Sequence, residues 1–144
     1  MDIRRLQESD LALHSSWLFP RLTKLYPHMN DRALLTWFKG IMFSNDFMPL
    51  ASDTGVALGY ISRPDVLAQK PIVQVGFVWV KNRAEAAQAQ EAIGFYQQYI
   101  NWANSNFIDV IYLADHSDVP LDVVKETFKR VLVKETKYLR VKEA

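Results

Sequence analysis

The sequence predicts a single α/β domain in the element order β-α-α-β-β-β-α-β-α-β-β, and three observations carry that expectation. The chain has 144 residues, within the roughly 100–200 residues of one domain. Its composition, 49% hydrophobic and 23% charged with 12% aromatic, belongs to a chain with a packed core rather than a disordered or fibrous one. Along it, the three-to-four-residue spacing of buried helix faces alternates with short β-branched and aromatic runs. No repeat or low-complexity linker interrupts residues 1–144, and prolines are spread at positions 20, 27, 49, 64, 71 and 120.

Residues 2–6 read as a short first strand. Ser9 and Asp10 offer cap oxygens to a helix carrying Leu11, Trp17, Leu18, Leu22 and Leu25, which should stop before Pro27. Asn30 or Asp31 caps a second helix, in which Leu34, Leu35, Phe38, Ile41 and Met42 form one apolar stripe. Residues 47–51 and 56–62 flank Ser-Asp-Thr-Gly, a turn signal, which predicts an antiparallel hairpin with Gly55 at positive φ. Residues 64–69 read as a loop. Residues 72–80, Ile-Val-Gln-Val-Gly-Phe-Val-Trp-Val, form a buried central strand, and Gly76 within it marks a bulge or a close backbone approach.

The longest helix runs over about residues 84–104, with Ala89, Ile93, Tyr96, Ile100 and Ala103 on one face and Phe95, Tyr99 and Trp102 beside them. That wide face suits core packing better than an oligomer contact. A strand at 110–114 follows. Ser117 or Asp118 then caps a helix with Pro120 in its first turn and Leu121, Val124 and Phe128 inward. Residues 131–133 and 138–141 read as a closing hairpin.

Composition excludes several chemistries. The five glycines include no G-x-G pair, which disfavours glycine-rich dinucleotide and phosphate loops. Absence of cysteine removes disulfides, thiolate metal sites and a thiol nucleophile, and fits a cytoplasmic setting. His14, His28 and His116 lack metal-ligand spacing, so no metal is expected. A formal charge of +1, with the basic C-terminal stretch broken by Glu126, Glu135 and Glu143, argues against nucleic acid. The polar opening and the lack of a long apolar run argue against secretion and membrane insertion.

The element order, with its long helix after the fourth strand, is similar to the fold of the GNAT N-acetyltransferase family. The resemblance is carried by the opening Ile3-Arg4-Arg5-Leu6-x-x-Ser9-Asp10 and by Val73-Gln-Val-Gly-Phe-Val-Trp-Val80 with Lys81-Asn-Arg83 after it. Val110-Ile-Tyr-Leu-Ala114 and the tail from Val123 to Leu139 complete it, and the chain is most like the short GNAT proteins of bacteriophages. It implies a mixed, mostly antiparallel sheet of six to seven strands with about four helices. It also implies acetyl-CoA as co-substrate in a cleft between the fourth and fifth strands. Val78, Trp79 and Val80 would then line the pantetheine; Lys81, Arg83, Ala84, Glu85, Ala86 and Ala87 would meet the pyrophosphate, with Ser117 a further contact. A helix N-terminus there supplies unpaired amides to an anion.

The chain departs from the family at three places. The phosphate loop R/Q-x-x-G-x-G/A has its nearest match in Arg83-Ala-Glu-Ala86-Ala-Gln88, without either glycine. Gln74 stands where many members place a glutamate base, and Lys125 near where they place a tyrosine acid. Candidate substitutes are His116, beside Asp115 at the end of the fifth strand, because imidazole changes charge nearest neutrality, and Tyr112, with Tyr138 also within reach of the cleft. Asp115 would alternatively recognise a cationic amine. Tyr26, Tyr96 and Tyr99 are expected to pack, and His14 and His28 to be structural. The resemblance thus implies acetyl transfer to an amine, on a small molecule or a protein lysine, with residues 14–45 and 63–70 shaping the acceptor site. The competing expectation is an inactive scaffold that docks a partner protein, including a host protein, or forms a homodimer through the long helix or the last strand.

Overall fold

A computed structural model describes residues 2–65, 70–81, 84–114, 116–118, 120–128 and 139–141. The described elements are β1 (Arg4–Arg5), α1 (Glu8–Leu25), α2 (Asp31–Ile41), β2 (Phe47–Ala51), β3 (Gly55–Asp65), β4 (Lys70–Val80), α3 (Glu85–Ser105), β5 (Ile111–Leu113), β6 (His116–Ser117), α4 (Leu121–Thr127) and β7 (Leu139–Val141). They form one sheet in the order β1-β2-β3-β4-β5-β7, with β6 also pairing with β4. The pairs from β1 to β4 are antiparallel, whereas β5 and β6 run parallel to β4 and β7 runs parallel to β5. The expected closing hairpin lies mostly outside the described residues.

Helices cover both faces of the sheet. On one, Phe95, Tyr96 and Tyr99 of α3 are completely buried against Val73, Val75, Val78 and Val80. On the other, Leu18 and Leu22 of α1 and Leu34 and Phe38 of α2 pack against Val56, Phe77 and Trp79. The switch of facing from Val75 to Phe77 is made by a bulge. Leu58 pairs with Phe77 but Gly59 with Val75, so Gly76 is the extra residue. The bulge expected at Gly76 is therefore present, and it turns the aromatic end of β4 toward α1 and α2.

Local chemistry departs from the sequence reading at three points. Helix α1 is capped at Gln7, one residue before its first turn, and the Asp10 carboxylate accepts the Gln7 amide at 3.0 Å instead of serving as the cap itself. The Asp10 carboxylate also pairs with Arg4 at 2.5 Å, and that bond raises the Arg4 pKa. Asn30 caps α2 as expected, accepting from the Ala33 amide at 2.8 Å. In the β2–β3 turn no described glycine has positive φ. Gly55 is needed for room: a Cβ there would lie 3.0 Å from both the Phe95 ring and the Trp79 carbonyl. The third departure is β6, which occupies residues expected to cap α4; the cap position falls to Pro120.

Candidate functional site

The bulged strand, α1 and α2 enclose a cavity of about 440 Å³ on the face opposite α3, within the 300–1,000 Å³ range of small-molecule sites. Trp37 of α2, Phe47 of β2 and Tyr60 of β3 form one wall in which neighbouring rings touch at 6.2 and 5.7 Å between centroids. Phe77 and the bulge residue Gly76, which lies next to the Tyr60 ring, continue the lining on β4. Tyr26 and His28, on the turn between the helices, stand at the rim with ring centroids 6.5 Å apart. His116 completes the lining and is solvent-exposed.

His116 has a second position of interest. It pairs in parallel register with Phe77 and also borders a shallower opening shared with Trp79, Ser117, Arg21 and Lys24. The imidazole therefore stands where the apolar cavity meets the last residues of β4. Of the other predicted catalytic residues, Tyr112 pairs with Gln74 lower on the sheet, and Asp115 lies outside the described residues, as do Tyr138 and Arg83.

The edge of β4 beyond His116 is occupied by the chain itself. Ser117 pairs with Val78, the Asp118 amide donates to the Val78 carbonyl at 3.2 Å, and the Val80 amide donates to Asp118 Oδ2 at 3.0 Å. Arg21 of α1 holds that carboxylate from the other side, its Nη1 2.9 and 3.0 Å from the two oxygens. The guanidinium also lies 5.5 Å from the ring centroids of both Trp17 and Trp79. Each contact is modest because the pair is partly exposed, but together they zip the segment 116–118 onto β4. The backbone groups expected to face a pantetheine are thus already bonded in this conformation.

The start of α3 behaves differently. Ala84, Glu85 and Ala86 are exposed and Ala87 half-buried, and the first-turn amides of a helix point outward without intrahelical partners. Gln88, which falls where a glycine was expected, turns its side chain back so that Nε2 donates to the Val80 carbonyl at 3.2 Å. Lys81 is tied by its amide to the Thr54 carbonyl, and its side chain is exposed. The helix end thus suits a diphosphate, with the Glu85 side chain the one opposing charge in the first turn. The pantetheine stretch fits only after residues 116–118 withdraw.

The remaining histidine and tyrosines sort by contact. His14 is buried: the Trp17 indole donates to Nδ1 at 3.0 Å, so Nε2 carries the hydrogen toward the Ser52 carbonyl at 2.7 Å. Ser52 and Thr54 in turn donate to Glu91 of α3, and the group clamps the β2–β3 turn between two helices. Tyr99 donates to the Met48 carbonyl at 2.8 Å, and burial pushes its hydroxyl well above the usual value. Tyr96 is raised by burial too, partly offset by Ser117 and the Ala114 backbone, though its approach to them falls short of full hydrogen-bond geometry. These two pack as expected, whereas Tyr26 and His28 are at the cavity rim. Trp37, Tyr60 and Arg21 are not singled out by the sequence, and Asp118 only as a helix cap. The available signal was Trp37, off the buried stripe of α2, and Arg21 four residues after Trp17.

No family model and no curated protein matches the chain. Solved structures do. The glucosamine-6-phosphate N-acetyltransferase of Arabidopsis thaliana is similar over 99% of this chain and 97% of its own, with a TM-score of 0.64 at 14% identity. An aminoglycoside antibiotic 6'-N-acetyltransferase from Acinetobacter baumannii covers 99% and 93%, at 0.59 and 19%. An aminoglycoside N-acetyltransferase solved with the bisubstrate analogue CoA-S-monomethyl-acetylneamine covers 91% and 88%, at 0.56 and 17%. The chain has the GNAT fold. Its four described helices and mixed, largely antiparallel sheet are the architecture these enzymes share.

Proposed function

We propose that this chain transfers an acetyl group from acetyl-CoA to an amine by direct attack. The observation that carries the reading is the position of His116, which borders both the ligand-sized cavity and the end of β4. An amine seated in the cavity would meet an imidazole able to take its proton, and no covalent nucleophile is needed. The Val80 amide already binds a carboxylate oxygen at 3.0 Å. Released from Asp118, the same donor would serve the oxygen on which negative charge develops as the amine attacks the thioester carbon. The thiolate then leaves, and the proton that the acetylated nitrogen loses ends on the thiol sulfur, so that free coenzyme A and the amide are the products. The first turn of α3 and Lys81 would hold the diphosphate. The shared fold with an enzyme solved with a coenzyme A analogue supports this reading.

A second reading has its own support. The occupied β4 edge, Gln74, and the loop without glycines suit a scaffold that binds a partner protein, a host protein if the chain is of phage type. Thermal unfolding with and without millimolar acetyl-CoA separates the two, for wild type and for Asp118→Ala. Acetyl transfer predicts a rise in Tm, by mass action on the native state, larger in Asp118→Ala because the edge no longer needs to be cleared. No rise in either protein would discard the acetyl-CoA site and leave the partner-binding scaffold. Thiol release with an amine panel then reads turnover, and equal rates for wild type and His116→Ala would remove His116 from the chemistry.

A further inference from the structure

We infer that the cavity between α1, α2 and the bulged end of β4 selects an amine carried on an aromatic or other apolar body, and rejects polycationic amines. The inference takes the acceptor side of the proposed reaction and rests on that reading only for the site's role in catalysis.

Three observations support it. The described lining residues include no carboxylate: apart from the imidazoles of His28 and His116 and the phenols of Tyr26 and Tyr60, the walls are apolar. A polyammonium ligand would shed water from several charges with no carboxylate among the described lining residues to receive them, which is costly. A single ammonium is a different case. The faces of Trp37, Tyr60 and Phe77 can receive one cation, and an apolar surround shifts an amine toward its neutral form, the one that attacks.

The second observation is that three of the eight exposed large apolar side chains among the described residues border this one cavity. Leu25, Tyr26 and Trp37 are 39%, 48% and 37% exposed, and all three line this cavity. Apolar side chains left open beside a concave site mark a ligand surface rather than a solvated one. The third is Gly76. Its φ is not positive, and an added Cβ would meet only ordinary contacts, 3.7 Å from the Leu58 carbonyl and the Tyr60 ring. Nothing local demands a glycine, yet its absent side chain leaves space in the cavity wall.

The test is binding to the free protein, without acetyl-CoA, read by tryptophan fluorescence and by calorimetry. The probes are 2-phenylethylamine and the aminoglycoside kanamycin. We expect saturable binding of 2-phenylethylamine, weakened at least tenfold in Gly76→Leu, which fills the cavity, and in Trp37→Ala, which removes one wall. Kanamycin should bind at least tenfold more weakly than 2-phenylethylamine. Circular dichroism of both variants establishes that they fold, and because Trp37 is partly exposed, its variant stands if Gly76→Leu does not. Kanamycin binding as tightly as 2-phenylethylamine, or 2-phenylethylamine binding that neither variant weakens, overturns the inference. Saturable binding without turnover would uphold the pocket and defeat acetyl transfer, so the two fail separately.

Discussion

At the scale of single residues, the glycines show how position decides what a missing side chain is worth. Gly59 on β3 faces Tyr99, and a Cβ added there would lie 2.4 Å from the ring. The ring cannot step aside, because it is fully buried and its hydroxyl is fixed to the Met48 carbonyl. Gly59→Ala should therefore destabilise by about 2–3 kcal/mol, the usual scale of overpacking. Gly40, in the exposed part of α2, has nothing within 4 Å of the same added atom. Gly40→Ala should stabilise by about 0.5–1 kcal/mol through helix propensity and lost unfolded-state freedom. Urea unfolding of both variants decides it; equal shifts, or a neutral Gly59→Ala, would contradict the packing described for Tyr99. Neither difference is legible in sequence, since the side chain that fills the space at Gly59 comes from forty residues later.

At the scale of elements, what could be read locally was read well. Helix α3 and strands β2 and β4 lie within two residues of their expected bounds, because period and turn chemistry are properties of neighbouring residues. The segment β6 could not be seen that way. It consists of His116 and Ser117, paired only because β4 and Asp118 hold them in register, and a helix cap was an equally good local use of Ser117. Helix α1 contains the opposite case, a residue whose local cost the tertiary structure overrides. Pro20 is exposed inside Glu8–Leu25; it cannot donate to the Ser16 carbonyl, and its ring crowds the preceding turn. Buried Leu18, Phe19 and Leu22 hold the helix together around it. A proline is about 3 kcal/mol less favourable than alanine in a helix interior, and less where tertiary packing overrides local propensity. Pro20→Ala should thus stabilise by about 1–2 kcal/mol, seen as a higher urea midpoint at unchanged slope. A lower midpoint would mean that the proline is itself needed to seat Arg21 beside Asp118.

At the scale of the whole molecule, the core and the site differ in how far apart in sequence their parts lie. The cavity draws on α1, α2, β2, β3, β4 and β6, so beforehand only His116, Gly76 and the span 14–45 pointed to it, without the contacts that join them. The core likewise joins distant segments, and two tyrosines buried in it make stability depend on alkaline pH. Burial holds the Tyr99 hydroxyl well above its ordinary 10.0 and raises Tyr96 as well. In the unfolded chain both would ionise near pH 10. Above that pH the native state binds more protons than the unfolded state, so stability falls as pH rises. The contribution is complete below about pH 10 and is lost through the window between the unfolded and the raised folded values. The slope approaches about 1.4 kcal/mol per pH unit for each tyrosine still protonated when folded. Tyr99→Phe removes one of them. It should be less stable than wild type at pH 8, having lost the bond to Met48, and yet lose less stability on going to pH 11. Urea midpoints at both pH values give the comparison, and parallel declines in the two proteins would show that Tyr99 ionises as easily in the fold as outside it.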